Sequence, residues 1–387
     1  MSIAYNHVRV HVDVGAVVHN YCVLSARGAC LAPVVKADAY GHGLREVACA
    51  LWQAGARIMA AGTVGEAVYL KECVPGADIL SLLGPLSHAE CQTLGEHDII
   101  PFVSTLEQLL CLEEAGARSG APVRVALKFD TGMSRLGFCV DQAHAVANTL
   151  DGLKYVRAVW ACSHLATADD PDQAKYVREQ HDRFLCALHV LRRRGMRVQA
   201  SLANSAGLLA YPDLHHDVQR PGIALYGANP FAGTAWAHKG EGLRLAMNVC
   251  APLLHVRELH AGQSVGYGRT YTAPESMRIG IVGVGYADNY SRCLSGASAM
   301  LVQGQRVPVL GRVCMQLTAV DLSAVPQAQV GDDMVILGTQ GAACIRAEDL
   351  ALWWGTIPYE VFCLLGQNPR LYSGLQENCA CGEQSEG

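Results

Sequence analysis

Between about residues 30 and 226, short runs of apolar and β-branched residues alternate with longer segments whose apolar positions recur every three or four residues. The short runs predict strands over 33–35, 57–61, 78–83, 99–103, 123–129, 156–162, 198–203 and 223–226. The segments between them, such as 44–53, 106–114, 141–149 and 176–194, predict helices with one apolar face. Eight strand–helix units in about 200 residues fit a closed (β/α)8 barrel. An open doubly wound sheet is the competitor, but no G-x-G-x-x-G or Walker A run follows any of the strands, which weakens its nucleotide-binding form.

Past about residue 240 the texture changes. MNVCAPLLHVREL, MRIGIVGVGYAD, SAMLVQGQRVPVLGRVCM and DMVILG are short Val-, Leu- and Ile-rich runs punctuated by Gly and Pro, which predicts a β-rich second domain. The expected class is therefore α/β, an N-terminal TIM-like barrel followed by a C-terminal β-rich domain. The barrel is assigned to residues 1–238, with an N-terminal strand contributing to the β-domain, and the β-domain to 239–375. Residues 376–387 are polar and read as a frayed tail.

Charge narrows the partners. The net charge of -5 comes from 30 basic and 35 acidic residues with no basic stripe, so no nucleic acid is expected and a small metabolite is. No apolar stretch reaches the roughly 18–20 residues that span a bilayer, so no membrane partner is expected. The opening run MSIAYNHVRVHVDVGAV lacks the features of a secretory signal, which points to a soluble cytoplasmic protein. The 16 cysteines are scattered without a C-x-x-C pair and read as reduced thiols. His7 and His11 stand four apart in an alternating run, which on a strand separates them by roughly 13 Å, so no metal site is expected.

A barrel carries its working residues at the C-terminal ends of its strands. There the chain offers Lys36-Ala-Asp38-Ala-Tyr40-Gly-His42-Gly after the first strand and Lys128-Phe-Asp130-Thr-Gly-Met133-Ser-Arg135 from the fifth. Ser163-His164 ends the sixth, Asn204-Ser205 ends the seventh, and Arg220-Pro-Gly222-Ile223 is read as the entry to the eighth. Each has an ordinary reading: a solvated lysine, structural histidines, a helix cap at Asn204-Ser205, a surface ion pair at Arg220. Together they say more. A lysine desolvated at a barrel mouth is a nucleophile able to form a Schiff base with an aldehyde. Loops after strands seven and eight commonly grip phosphate, and here they offer Ser205 and the amides of Gly222 and Ile223. A cofactor with both an aldehyde and a phosphate is pyridoxal 5′-phosphate (PLP).

VVKADAYGHG, KFDTGMSRLG, SHLATAD, NSAG, RPGIALYG, VGYGRTYTA, GVGYADNYSR, GRVCMQ and TIPYEVFC together resemble the alanine racemase family over almost the whole chain. The resemblance implies that Lys36 holds PLP and is the base on one face of the substrate, with Tyr267 the base on the other. It implies cofactor contacts from Tyr40, His164, Asn204, Ser205, Arg220, Gly222, Ile223 and Tyr359, with Arg220 at the ring nitrogen. Arg135 and the amide of Met315 would hold the substrate carboxylate, Lys128 would be a candidate for carbamylation, and Tyr286, Arg292 and Arg312 would line the entrance. It also implies a head-to-tail homodimer in which Tyr267 and Met315 complete the site of the partner subunit, and a product, D-alanine, destined for peptidoglycan.

Three positions depart from the family pattern: Gln316 where Asp is common, Asn289 where the turn usually has Gly, and a shortened run at 366–370. Gln316 removes a negative charge near the entrance and keeps open a broader or serine-preferring racemase. A non-catalytic PLP-binding protein would resemble the barrel half alone, and a PLP barrel decarboxylase would lack the motifs around Tyr267 and Met315.

Overall fold

A computed structural model describes residues 7–27 and 30–374, so the tail expected at 376–387 lies outside the described residues. The chain divides into two compact units, one formed by residues 17–27, 30–39 and 44–243, the other by 7–16, 40–43 and 244–374.

In the first unit, parallel strands Ile58–Ala61, Asp78–Ser81, Ile100–Val103, Val123–Asp130, Val156–Cys162 and Gln199–Ser201 pair in sequence order. Val34 bridges to Ala60, and Cys30–Leu31 pairs in parallel with Val218–Gln219. The Arg220 amide then reaches the Ala203 carbonyl at 2.9 Å, which carries the ladder from the eighth strand back to the seventh. The sheet is thus a barrel. Its central strand, Val123–Asp130, is buried along nearly its whole length, as a strand covered on both faces must be.

The helices follow their sequence signals. Leu106–Ser119 starts where the Thr105 hydroxyl accepts the Gln108 amide at 3.2 Å and stops at Gly120 in the left-handed conformation, burying Leu109, Leu112 and Ala115. The helix Ala174–Arg193 buries Val177, Phe184, Ala187, Leu188 and Leu191 at helical spacing. Truncating fully buried Phe184 to alanine would cost about 3–5 kcal/mol.

One expected element is different. Residues 223–226 form a 3-10 helix, Ile223–Tyr226, and the eighth strand is the two-residue Val218–Gln219 before it. Pro221 has no amide to give a ladder, and the chain turns at Gly222 before the apolar run begins. The Arg220-Pro-Gly222-Ile223 segment therefore leaves the eighth strand, where the sequence reading had it entering.

In the second unit, the strand Met247–Leu259 pairs antiparallel with both Met277–Val282 and Asp333–Gln340. The circuit closes through Thr318–Asp321, Gln305–Leu310 and Ala299–Val302, giving a six-stranded antiparallel barrel. Arg9–Asp13 adds to Met247–Leu259, and Arg370–Ser373 adds to Arg9–Asp13. Closure leaves the long central strand without a free edge. Its interior holds Leu259, Met277, Ile279 and Leu310.

No helix among the described residues is long and apolar enough to cross a membrane. No disulfide joins the described cysteines, and no group of three or more His, Cys, Asp or Glu side chains among the described residues could hold a metal ion.

Candidate active site

At the mouth of the first barrel, Lys36 follows Val35, whose amide bonds the Ala60 carbonyl at 2.8 Å just past the Val34 bridge, and is half-buried. The backbone after it does something no periodicity announces. Ala37, Asp38, Ala39 and Tyr40 all have φ between 52° and 55°, and Gly41 continues at 77°. The Ala39 amide bonds the Val35 carbonyl at 2.9 Å, so the segment Lys36–Gly41 is a left-handed helical turn. Each non-glycine residue in that conformation costs roughly 1–2 kcal/mol, so the turn persists only because its surroundings hold it. The Asp38 carboxylate accepts the Leu44 amide at 2.7 Å. A side chain at Gly41 would come within 2.5 Å of the Phe362 carbonyl, which explains a glycine there.

Residues from the ends of the fifth, sixth and seventh strands meet around Arg220. Its guanidinium is buried and donates to Ser201 Oγ and the Ser163 carbonyl, and it lies 3.5 Å from His164 Nδ1. His164 is pushed well below the usual histidine range by burial and by the cations Arg220, Lys128, Arg135 and Lys36, so it is neutral. Lys128 is buried and donates to the Phe129 carbonyl at 3.0 Å; burial and then Arg220 lower its amine to about 7. Arg135 stays exposed on the loop after that strand, close enough to depress both.

The loops after strands seven and eight are stitched together by Ser205. Its hydroxyl accepts the amides of Gly222 at 2.9 Å and Ala224 at 3.3 Å. Asn204 caps the short helix Ser205–Ala210 by accepting the Gly207 amide at 2.9 Å, and its amide group also donates to the Leu165 carbonyl. Ile223 is fully buried at the start of the 3-10 turn. A lysine amine, a serine hydroxyl beside turn amides and a buried guanidinium are the donors that an aldehyde, a phosphate and a ring nitrogen require, so these residues fit PLP.

Sequence reasoning passed over Gln180. Its side chain is buried in the long helix, accepts the Ala166 amide at 2.8 Å and donates to the His164 carbonyl at 3.1 Å, which fixes the backbone of His164. The available signal was a glutamine at a position where the helical spacing calls for an apolar residue.

In the second unit, Tyr40 packs on Tyr359 with ring centroids 5.7 Å apart, and burial with Tyr359 alongside keeps its hydroxyl protonated far above the ordinary tyrosine value. Tyr267 opens a tight turn between Gly266 and Gly268, both at positive φ, and is 67% exposed. Arg312 lies against this turn, since a side chain at Gly268 would meet its guanidinium at 2.7 Å. Tyr267, Met315, Gln316 and Asp288 line one cleft of about 500 Å³. The Tyr286 and Ala287 amides bond the Cys314 and Met315 carbonyls at 3.0 and 2.8 Å, which brings Tyr286 to the same edge. Arg292 begins the 3-10 turn Arg292–Leu294 and belongs to this unit as well.

Family models for the alanine racemase N-terminal and C-terminal domains match residues 12–230 and 246–372. The alanine racemase of Nitratidesulfovibrio vulgaris (strain DSM 19637 / Miyazaki F) is 50% identical over 373 residues, covering 96% of this chain and 100% of that protein. Among solved structures, the alanine racemase of Streptomyces coelicolor A3(2) superposes with a TM-score of 0.88 at 34% identity, covering 95% of this chain and 98% of that one. The alanine racemase of Bartonella henselae, solved with covalently bound pyridoxal phosphate, gives a TM-score of 0.85 at 28% identity over 95% of this chain and 99% of that one. Fold, site and relatives together define a PLP-dependent amino-acid isomerase. The chain belongs to the alanine racemase family.

Proposed function

We propose that this protein interconverts L- and D-alanine with PLP held covalently on Lys36, using Lys36 and Tyr267 as acid–base groups on opposite faces of the substrate α-carbon. The observation that carries the reading is the gathering at one barrel mouth of Lys36, the Ser205–Gly222 cradle and buried Arg220. PLP supplies electron withdrawal that makes the substrate α-proton acidic.

The remaining work falls to the protein's own groups. One base removes the α-proton and the other delivers a proton from behind, so the stereocentre inverts. Arg220, which holds its proton tightly, would not readily donate it to a ring nitrogen placed against it, and this would favour return of the proton to carbon over side reactions. Neutral His164 beside it is also a poor proton source, because burial and the neighbouring cations have already removed its acidic proton. Arg135 and the Met315 amide suit a carboxylate, and Tyr40 and Tyr359 suit the phosphate.

The reading includes a homodimer in which Tyr267 and Met315 serve the site of the partner subunit. Their exposure of 67% and 58% supports this, because a base left in open water would be poorly oriented. Its product would supply D-alanine for peptidoglycan in the cytoplasm. A second reading, a racemase that also accepts serine, is favoured by Gln316, which lines the Tyr267 cleft with a neutral amide able to bond a hydroxyl.

The test is a racemisation panel of alanine, serine, lysine and arginine on the PLP-loaded enzyme with the Lys36→Ala and Tyr267→Phe variants. Lys36→Ala should lose the visible absorbance of lysine-bound cofactor. Tyr267→Phe should keep it while suppressing α-proton exchange from one enantiomer far more than from the other. Symmetric loss would count against two bases, and serine turnover equal to alanine turnover would favour the second reading.

A further inference from the structure

The carboxylate of Glu66 accepts three backbone amides. Oε2 takes those of Gly62 at 2.9 Å and Thr63 at 3.1 Å, and Oε1 takes that of Ala37 at 2.7 Å. The Thr63 bond has an ordinary explanation. Thr63 caps the helix Val64–Cys73, its hydroxyl accepts the Glu66 amide at 3.1 Å, and the two form a reciprocal capping box. The bond to Ala37 has no place in a cap. It reaches 29 residues back along the chain to the amide immediately after Lys36, the first left-handed residue of the strained turn.

The packing agrees with that bond. A side chain at Gly62 would meet Glu66 Oε2 at 2.7 Å and Lys36 Cβ at 3.3 Å, so the glycine lets the carboxylate and the lysine stem share one place. The strain of the turn begins at Ala37, where the charge-assisted bond is made.

We infer that Glu66 is a positioning residue for Lys36, one that anchors the entry to the left-handed turn on the second strand's exit loop and thereby sets the direction of the lysine side chain. This rests on the reading that Lys36 carries PLP. Forming that bond requires the lysine nitrogen to add to the cofactor's aldehyde carbon with loss of water, a step sensitive to the direction of the amine. Glutamine is a poor replacement despite its shape. Its one oxygen cannot serve donors on both sides, and its NH2 would face an amide N–H.

The experiment compares Glu66→Gln with Thr63→Ala, which weakens the same helix cap while leaving the Ala37 bond, and with Lys36→Ala. In the apoenzyme, hydrogen exchange at the Ala37 amide should be slow in the wild type and in Thr63→Ala, and fast in Glu66→Gln. On adding PLP, the absorbance of the lysine-bound cofactor should appear roughly tenfold or more slowly in Glu66→Gln than in Thr63→Ala, the scale expected of a misplaced reactive group. In the loaded enzymes, kcat should fall in Glu66→Gln with KM nearly unchanged. Equal slowing in Thr63→Ala and Glu66→Gln would overturn the inference in favour of plain helix capping, as would wild-type exchange and loading in Glu66→Gln. Absorbance that survives Lys36→Ala would overturn it together with the cofactor reading, whereas its loss there beside normal loading of Glu66→Gln would overturn the role of Glu66 alone.

Discussion

The hydroxyl of Ser205 accepts the Gly222 amide at 2.9 Å, tying the loop after the seventh barrel strand to the turn after the eighth. Both groups lie where a phosphate is expected, and the tie orients the turn before any ligand arrives. Ser205→Ala removes the tie together with a hydroxyl that can bond a charged oxygen. Affinity for PLP should fall by about 1.5–3 kcal/mol, on the order of 10–100-fold in Kd. Titration of PLP into the apoenzyme measures this, and an unchanged Kd would remove Ser205 from the cradle.

Gly285 bears on the other half of the chemistry. A side chain there would stand 2.2 Å from the Cys314 carbonyl and 2.4 Å from that of Met315, so Gly285→Ala must displace the backbone that lines the Tyr267 cleft. Overpacking of this kind typically costs about 1–3 kcal/mol. Turnover should drop by on the order of tenfold or more while bound PLP stays stoichiometric, because the groups a side chain there would meet, the Cys314 and Met315 backbone, are not among those offered to the cofactor. Wild-type turnover, or loss of cofactor, would contradict this.

Lys128 gives stability a pH dependence of definite sign. Burial and Arg220 lower its amine from 10.5 to about 7, so between those values the unfolded chain holds a proton that the folded one has released. Stability then rises with pH across that window. Below about 7 both states hold the proton, and the penalty of a buried ammonium is present in full. In Lys128→Met that rise should disappear, as seen in Tm measured from acid through alkaline pH in both proteins. Parallel curves would mean that Lys128 titrates as an ordinary lysine.

The same neutral amine is a nucleophile toward carbon dioxide. Its nitrogen would add to the carbon and shed a proton, turning the neutral amine into an anion that can pair with Arg220. Bicarbonate should therefore raise the Tm of the wild type and leave Lys128→Met unmoved, with intact mass showing one added CO2. Equal response of the two proteins would exclude this modification.

Much of this architecture is legible in the chain because its causes are local. Predicted helices over 44–53 and 176–194 correspond to Leu44–Gln53 and Ala174–Arg193, since their apolar faces lie within the segments themselves. The residues at the strand ends were legible for a related reason: a barrel places such residues on one face whatever the details of closure. The eighth strand is the exception, because an apolar run of four residues suits a buried 3-10 turn as well as a strand.

The sequence by itself therefore determined the alternation of strands and helices, the change of texture near residue 240 and the identity of the groups offered for chemistry, all of which depend on neighbours in the chain. Tertiary structure alone decided the left-handed turn after Lys36, the reach of Glu66 back to Ala37, the neutral state of His164 beside Arg220 and the closure of the second barrel through Met247–Leu259. The physical reason is the same in each case. Backbone strain, charge repulsion and strand closure are set by partners tens of residues away, and no pattern confined to a short window encodes which partners will meet.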